Sequence, residues 1–328
     1  MNVSANESHS DVFDRIRDAC RTVADRASHV RIRKERIDPF AIGLAAGGLA
    51  VPPVDGERHI VAGEEETVAF FVTLDAINFG SGYFPYLEKR PGLSGYFTIA
   101  SHLADRFRVD GPIPAARLAT TSPADCARLF DQGMARFPIR ELMTLFARAW
   151  NHLGRHVEDR FGGRFESLID AAGHSAARLV DLLTVQPFFR DAPPYGDLIV
   201  PLYKRAQILA SDLALALGGE GLGRFDDLDR QTIFADNLVP HVLRLEGLLE
   251  YAEPLAEAIE RDEPIPAGCE TEVEIRACAV HAVELVREAL VRSGHDITSR
   301  DLDQILWHRG QSPEIKREKR HRTRTVFY

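Results

Sequence analysis

The sequence predicts a mainly α protein: one helical domain over residues 1–328, two-lobed about a cleft, with at most a short β-hairpin. Three observations predict it. Apolar residues recur at helical spacing along most of the chain, period-two alternation is sparse, and no shift in composition marks a second domain. A chain of 328 residues is long enough to bury a core without covalent staples. The polar first ten residues or so are expected to be disordered.

The elements follow in order. Val68 to Phe79 is apolar on most sides, and periodicity alone does not separate a buried strand from a buried helix. The preceding Glu64-Glu65-Glu66-Thr67 reads as an acidic first turn and favours helix. Phe84 to Tyr96 contains the turn-like Lys89-Arg90-Pro91-Gly92, which could close a hairpin ahead of a helix starting near Phe97. Thr121-Ser122-Pro123-Ala124-Asp125 is a helix start, with a hydroxyl cap, a proline in the first turn and then an acid. Helical stripes run through Phe165–Gln186, Tyr203–Leu217 and Ile275–Ala289. In the second of these, Tyr203, Ala206, Ala210, Leu213 and Leu217 form the apolar stripe, and Lys204, Gln207 and Ser211 lie on another. Loops are expected at Gln186–Pro201, Gly218–Arg230 and Arg261–Glu270.

Composition limits the function classes. The formal net charge of −9 argues against a surface devoted to nucleic acid, which favours a basic footprint. Cys20, Cys126, Cys269 and Cys278 include no CxxC pair and read as reduced thiols of a cytoplasmic protein. The N-terminus lacks a basic segment followed by an apolar run, so no signal peptide is expected. The weakly polar Ala41–Val54 is too short and too broken to span a membrane. Walker, GxGxxG, GxSxG and HExxH patterns are absent. Cys269, Cys278 and His281 do not have the spacing of a zinc module, so neither a metal nor a cofactor is expected.

Four segments offer chemistry. In Gln231–Leu243 an acid, Asp236, stands in an apolar run four residues before Pro240. It fits a helix N-cap and equally a cleft carboxylate. Lys204 and Arg205 follow a loop at the start of a helix. They fit a solvated basic face, or two cations reaching one anion beside free backbone N–H groups. Asp75 and Asn78 lie three apart among Phe70, Phe71, Leu74, Ile77 and Phe79, as a core hydrogen-bond pair or a site. Glu272 and Arg276 read as a helix-stabilising i,i+4 ion pair. The basic tail, Lys316 to Arg324, is either solvated, and able to touch nucleic acid, or docked through the apolar Val326-Phe327-Tyr328.

These segments, taken in order, resemble the queuosine salvage family, the queuosine 5′-phosphate N-glycosylase/hydrolases. The elements are Asp75-Ala76-Ile77-Asn78-Phe79, Ser94-Gly95-Tyr96, Phe161-Gly162-Gly163-Arg164-Phe165, Tyr203 to Leu209, Phe234-Ala235-Asp236 with Pro240, Glu272 to Arg276, Leu306-Trp307, and His321 to Tyr328. Each is weak alone; the ordered set, from about residue 70 to the end, is specific. The chain departs from the pattern of eukaryotic members at Asn237, Leu238, His241 and His281, and in Gly80–Pro91. These departures bear on substrate detail more than on reaction class.

The resemblance implies a helical fold similar to helix-hairpin-helix DNA glycosylases and release of queuine from queuosine 5′-monophosphate. It implies Asp236 as the carboxylate that stabilises an oxocarbenium-like transition state and orients water. Lys204 and Arg205 are then the expected partners of the 5′-phosphate. Asp75 is expected to meet the cationic amine of queuine, Phe79 and Tyr96 to pack on its base, and Asn78 to read a polar edge. The expected partner is a small-molecule nucleotide, with no membrane and no stable nucleic-acid partner. The group that assists departure of the base is not identified. A different modified nucleotide or DNA base excision, a catalytically dead relative, and a nucleic-acid-binding helical module are the competing readings.

Overall fold

The computed structural model describes residues 11–328; the expectation for the first ten residues lies outside them. The fold is mainly α. Its helices, in order, are α1 (Val12–Arg26), α2 (Ile37–Gly47), α3 (Glu64–Asp75), α4 (Gly95–Asp110), α5 (Ala115–Leu118), α6 (Pro123–Leu129), α7 (Phe137–Phe161), α8 (Phe165–Asp170), α9 (Ala176–Thr184), α10 (Lys204–Ala216), α11 (Val239–Leu245), α12 (Glu253–Glu260), α13 (Glu270–Arg292), α14 (Ser299–Arg309) and α15 (Pro313–Arg317). The strands are minimal. β1 (Val30–Ile32) pairs antiparallel with β4 (Leu249–Tyr251), with Arg31 opposite Glu250, and β2 (Pro194–Tyr195) pairs with β3 (Leu198–Ile199).

Two helical groups meet. One gathers α1, α2, α11 and α14 about α13, whose residues Val273 to Val283 are buried except for His281. The other gathers α5, α6 and α8 about α7, with α3 packed on α8 and α4. Helices α9 and α10 link them, α9 touching α1 and α10 lying against α3. Burial of apolar side chains such as Phe70, Phe146 and Leu142, each worth about 1.5–3 kcal/mol, supplies the cohesion. Trp150 of α7 donates its indole N–H to the Thr73 carbonyl (2.9 Å) and fixes α3.

The predicted elements hold with two corrections. The Phe165–Gln186 stripe is two helices, because Gly173 adopts a left-handed turn (φ +57°) and Ser175 caps a new helix by accepting from Arg178 N. Phe84–Tyr96 forms no hairpin: Ser94 caps α4 by accepting from Phe97 N, so the helix begins at Gly95, where any Cβ would strike the Phe84 ring. The solvated-face alternative for Lys204 and Arg205 is excluded, since both are buried. The start at Ser122 is as expected, with a reciprocal capping box to Asp125.

Candidate active site

The site begins with the segment 231–238, which follows a loop and carries no regular structure. Its backbone is held by three buried side chains from three helices. Gln207 of α10 donates to Thr232 Oγ1 (3.1 Å) and accepts from Thr232 N (3.2 Å). Asp303 of α14 accepts from Phe234 N (2.8 Å), and Arg276 of α13 donates to the Ala235 carbonyl (2.9 Å). The next residue is Asp236. Its Oδ1 accepts from Leu238 N (2.7 Å) and Val239 N (3.0 Å) at the start of α11. Asp236 is not the N-cap, which is Leu238; one of its oxygens closes the turn just before the helix, and the residue lines a cavity of about 670 Å³.

Arg276 shows why this framework is firm. Only 1% exposed, it donates to both oxygens of Asp191 (2.9 Å at Oδ1) and to Glu272 (3.3 Å), and lies 4.6 Å above the Tyr328 ring. The expected i,i+4 pair of Glu272 and Arg276 is present, but it is buried and not isolated. The pair belongs to a buried network in which two acids and a ring offset the desolvation of one guanidinium.

Helix α10 forms the floor of the cavity. Lys204, Ile208, Asp212 and Leu215 follow one another at helical spacing and all line it. Lys204 Nζ lies 3.4 Å from both the Oδ1 and the carbonyl oxygen of Asn78. Burial lowers its pKa, against the opposing pull of Asp236 and Asp75. Burial likewise raises Asp212 well above the usual carboxylate range, and Asp75 adds to the rise. Asp303, 4% exposed, is pushed up to about 7 by burial and then by Asp236. One wall is aromatic: Tyr96 and Phe97 each meet Trp307 of α14 with ring centroids 5.8 Å apart. Tyr96 also bonds His59 (3.0 Å), whose pKa burial lowers to about 4, so this histidine is neutral at neutral pH.

The mouth of the cavity is basic, because the tail folds back over it. Tyr328 is buried and its carbonyl accepts from Gly80 N (2.9 Å), while Gly82 sits so close to Thr323 that a Cβ would lie 2.2 Å from the carbonyl oxygen. This docking brings Lys316 and Arg320 to the cavity beside Lys89. Burial, and then the neighbouring cations, lower the pKa of Lys89 and Lys316; burial and Arg322 lower that of Arg320 while Asp236 raises it.

Of the residues singled out in the sequence, Asp236, Lys204, Asn78, Phe79 and Tyr96 line the one cavity. Arg205 and Asp75 do not. Adjacent helical residues diverge by about 100°, and Arg205 points into the core. There it donates to the carbonyls of Asp75, Ala76, Phe188 and Val326 and lies 4.9 Å from the Phe79 and Phe189 rings. With both terminal nitrogens engaged by backbone carbonyls, it holds the end of α3 and the tail rather than an anion. Asp75 is 0% exposed behind Asn78, which donates to it (3.1 Å); burial pushes it up to about 7. It supports Asn78 rather than facing the cavity. Sequence reasoning missed His59, Asp212, Asp303, Lys89, and the inward placement of Lys316 and Arg320. The i, i+4, i+8 spacing of Lys204, Ile208 and Asp212 was the available signal for one of them. Among the described residues no group of three or more His, Cys, Asp or Glu could hold a metal ion. No helix there is long and apolar enough to cross a membrane.

The family described as queuosine salvage protein matches residues 58–328, which include every cavity residue named above. The chain belongs to this family. A Sphaerobacter thermophilus protein named queuosine 5′-phosphate N-glycosylase/hydrolase is 38% identical over 313 residues, covering 94% of this chain and 96% of its own. Relatives of the same name from Mus musculus (31% identical, 72% of each chain) and Dictyostelium discoideum (39% identical, 55% of this chain and 57% of its own) are also similar. The salvage-family motifs now have physical content. Asp236 lines the cavity, and Gln207 and Arg276 hold its segment. The departures divide: Asn237 and Leu238 line the cavity, whereas His241 is buried against the Ile315 carbonyl (3.2 Å) and His281 lines a separate surface pocket beside β1.

Proposed function

We propose that this enzyme hydrolyses the N-glycosidic bond of queuosine 5′-monophosphate and releases queuine. The observation that carries the reading is one cavity lined by the carboxylates Asp212, Asp236 and Asp303, by an aromatic wall, and by the cations Lys89, Lys316 and Arg320, which make no ion pair among the described residues. The substrate carries both complementary charges, an ammonium on the base and a phosphate on the ribose. Lys89, Lys316 and Arg320 repel one another until an anion arrives, so they take the 5′-phosphate, in place of the Lys204–Arg205 pair. Asp212 is the cavity-lining acid suited to the ammonium, the role first expected of Asp75. The base packs along Phe79, Tyr96 and Trp307, with Asn78 at a polar edge.

Cleavage of the C1′–N9 bond builds positive charge on the ribose. Asp236, fixed by two backbone N–H groups on one oxygen, presents the other to that charge and to the attacking water. Lys204 and Asn78 hold the floor in register. The reading includes a cytoplasmic setting, consistent with four free cysteines, and the likeness to helix-hairpin-helix DNA glycosylases. The basic tail, which favoured a nucleic-acid module, is turned onto the cavity instead.

The test is mass-spectrometric release of queuine from queuosine 5′-monophosphate by the wild type and by Asp236→Asn. We expect release by the wild type and a loss of about 10²–10³-fold or more in the variant. Release by both would remove Asp236 from its role. No release by folded wild type would remove the substrate.

A further inference from the structure

We infer that Asp303 is the general acid that protonates the departing base, working beside Asp236. The inference rests on the proposed glycosidase reaction and names the group that the sequence left unidentified.

Three features of its position support the assignment. Asp303 lies on the cavity face of α14 one turn before Trp307, part of the aromatic wall on which a base would pack. Its Oδ1 accepts from Phe234 N, two residues before Asp236, so both carboxylates are tied to the same short segment. That hydrogen bond leaves Oδ2 without a protein partner among the described residues, available to carry and donate a proton. The groups facing it agree. Asp236 from 231–238 disfavours a second negative charge, and Lys204 from α10 opposes it. Helix α13 presents Glu284 to Ser299 (2.9 Å), more than one turn away on α14, and α11 presents His241, held neutral by burial. Burial and Asp236 push Asp303 up to about 7, so about half of it is protonated at neutral pH, and more below. Two carboxylates set in unlike environments divide acid and base duties.

The step balances. The C1′–N9 electron pair leaves with the base. The Asp303 proton passes to a ring nitrogen or the carbonyl oxygen of the base, since a 7-deazapurine has no N7 to accept it. Water adds its oxygen to C1′ and yields a proton to Asp236. Return of that proton to Asp303 restores the site, and the net reaction is nucleotide plus water to base plus ribose 5-phosphate.

Asn is a near-isostere that still accepts from Phe234 N, so Asp303→Asn removes the proton and keeps the tie. The experiment compares wild type, Asp303→Asn and Asp236→Asn on queuosine 5′-monophosphate and on 4-nitrophenyl β-D-ribofuranoside 5-phosphate, whose leaving group needs no proton. We expect Asp303→Asn to lose about 10²–10⁴-fold in kcat on the nucleotide and far less on the nitrophenyl compound. Asp236→Asn should lose heavily on both. A second measurement needs no variant. The wild-type rate on the nucleotide should fall as pH rises through and above about 7, and the nitrophenyl rate should not. Equal losses by Asp303→Asn on both compounds, or an unchanged nucleotide rate, would overturn the assignment, as would the same alkaline fall with both compounds. If the wild type cleaves another nucleoside phosphate instead of queuosine 5′-monophosphate, the substrate reading fails while the leaving-group comparison still decides the role of Asp303.

Discussion

Arg276 and Arg320 both act close to Asp236, and their surroundings differ in kind. Arg276 is closed in by Asp191, Glu272 and the Tyr328 ring, and uses its Nε–H on the Ala235 carbonyl. Arg320 lines the cavity mouth with Lys89 and Lys316 and makes no ion pair among the described residues. The difference separates two uses of positive charge. A cation balanced by resident acids is part of the framework; a cluster that repels itself in a recess is completed by an anion from outside.

Three experiments break or sharpen that contrast. The largest effect is expected from Arg276→Met, which strands Asp191 and Glu272 in the core. The cost should be about 3–5 kcal/mol, read as a lower denaturation midpoint in urea. Turnover should also fall, through loss of the tie to Ala235. Arg261→Ala, at an exposed pair with Glu257, should leave the midpoint unchanged and serves as the control. If the two variants behaved alike, the framework role of Arg276 would be lost.

At the mouth, Lys316→Ala with Arg320→Ala should leave stability nearly unchanged. It should raise KM for the nucleotide by roughly 10- to 100-fold, the worth of a charge-assisted contact at about 1.5–3 kcal/mol. The unphosphorylated nucleoside should show no such change, and added salt should weaken only nucleotide binding in the wild type. An equal rise for nucleoside and nucleotide would detach these residues from the phosphate.

The smallest effect concerns His241 of α11, buried against the Ile315 carbonyl. Burial lowers its pKa to about 4 from an ordinary 6.5. Below pH 6.5 the unfolded chain takes up a proton that the folded one refuses. The contribution is therefore intact above pH 6.5 and is lost as pH falls towards 4. Stability of the wild type minus that of His241→Gln, followed by urea melts, should decrease across that window. A flat difference would show that the histidine titrates alike in both states.

Much of this molecule was legible in the sequence. Helical periodicity identified α10 and α13, the acidic turn at Glu64–Glu66 favoured helix for α3, and the start of α6 was foreseen within Thr121–Asp125. The ordered motifs singled out Asp236 and the segments around it. These signals are local, carried by residues a turn or two apart. The breaks were less visible: Gly173 and His174, both left-handed, divide one stripe into α8 and α9 at a point that periodicity averages over.

What only the tertiary structure decided was which side of each helix met which neighbour. Lys204 and Arg205 are adjacent and alike in charge, yet one faces the cavity and the other the core, because a helix turns about 100° per residue and the packing of α10 on α3 fixes its phase. Asp212, Asp303 and the tail cations come together from segments far apart in the chain. The pattern of each is ordinary by itself, and only long-range packing desolvates the acids and collects the cations about Asp236. Sequence determined the helices and marked the central acid; burial and charge at close quarters, set by the fold, decided the chemistry around it.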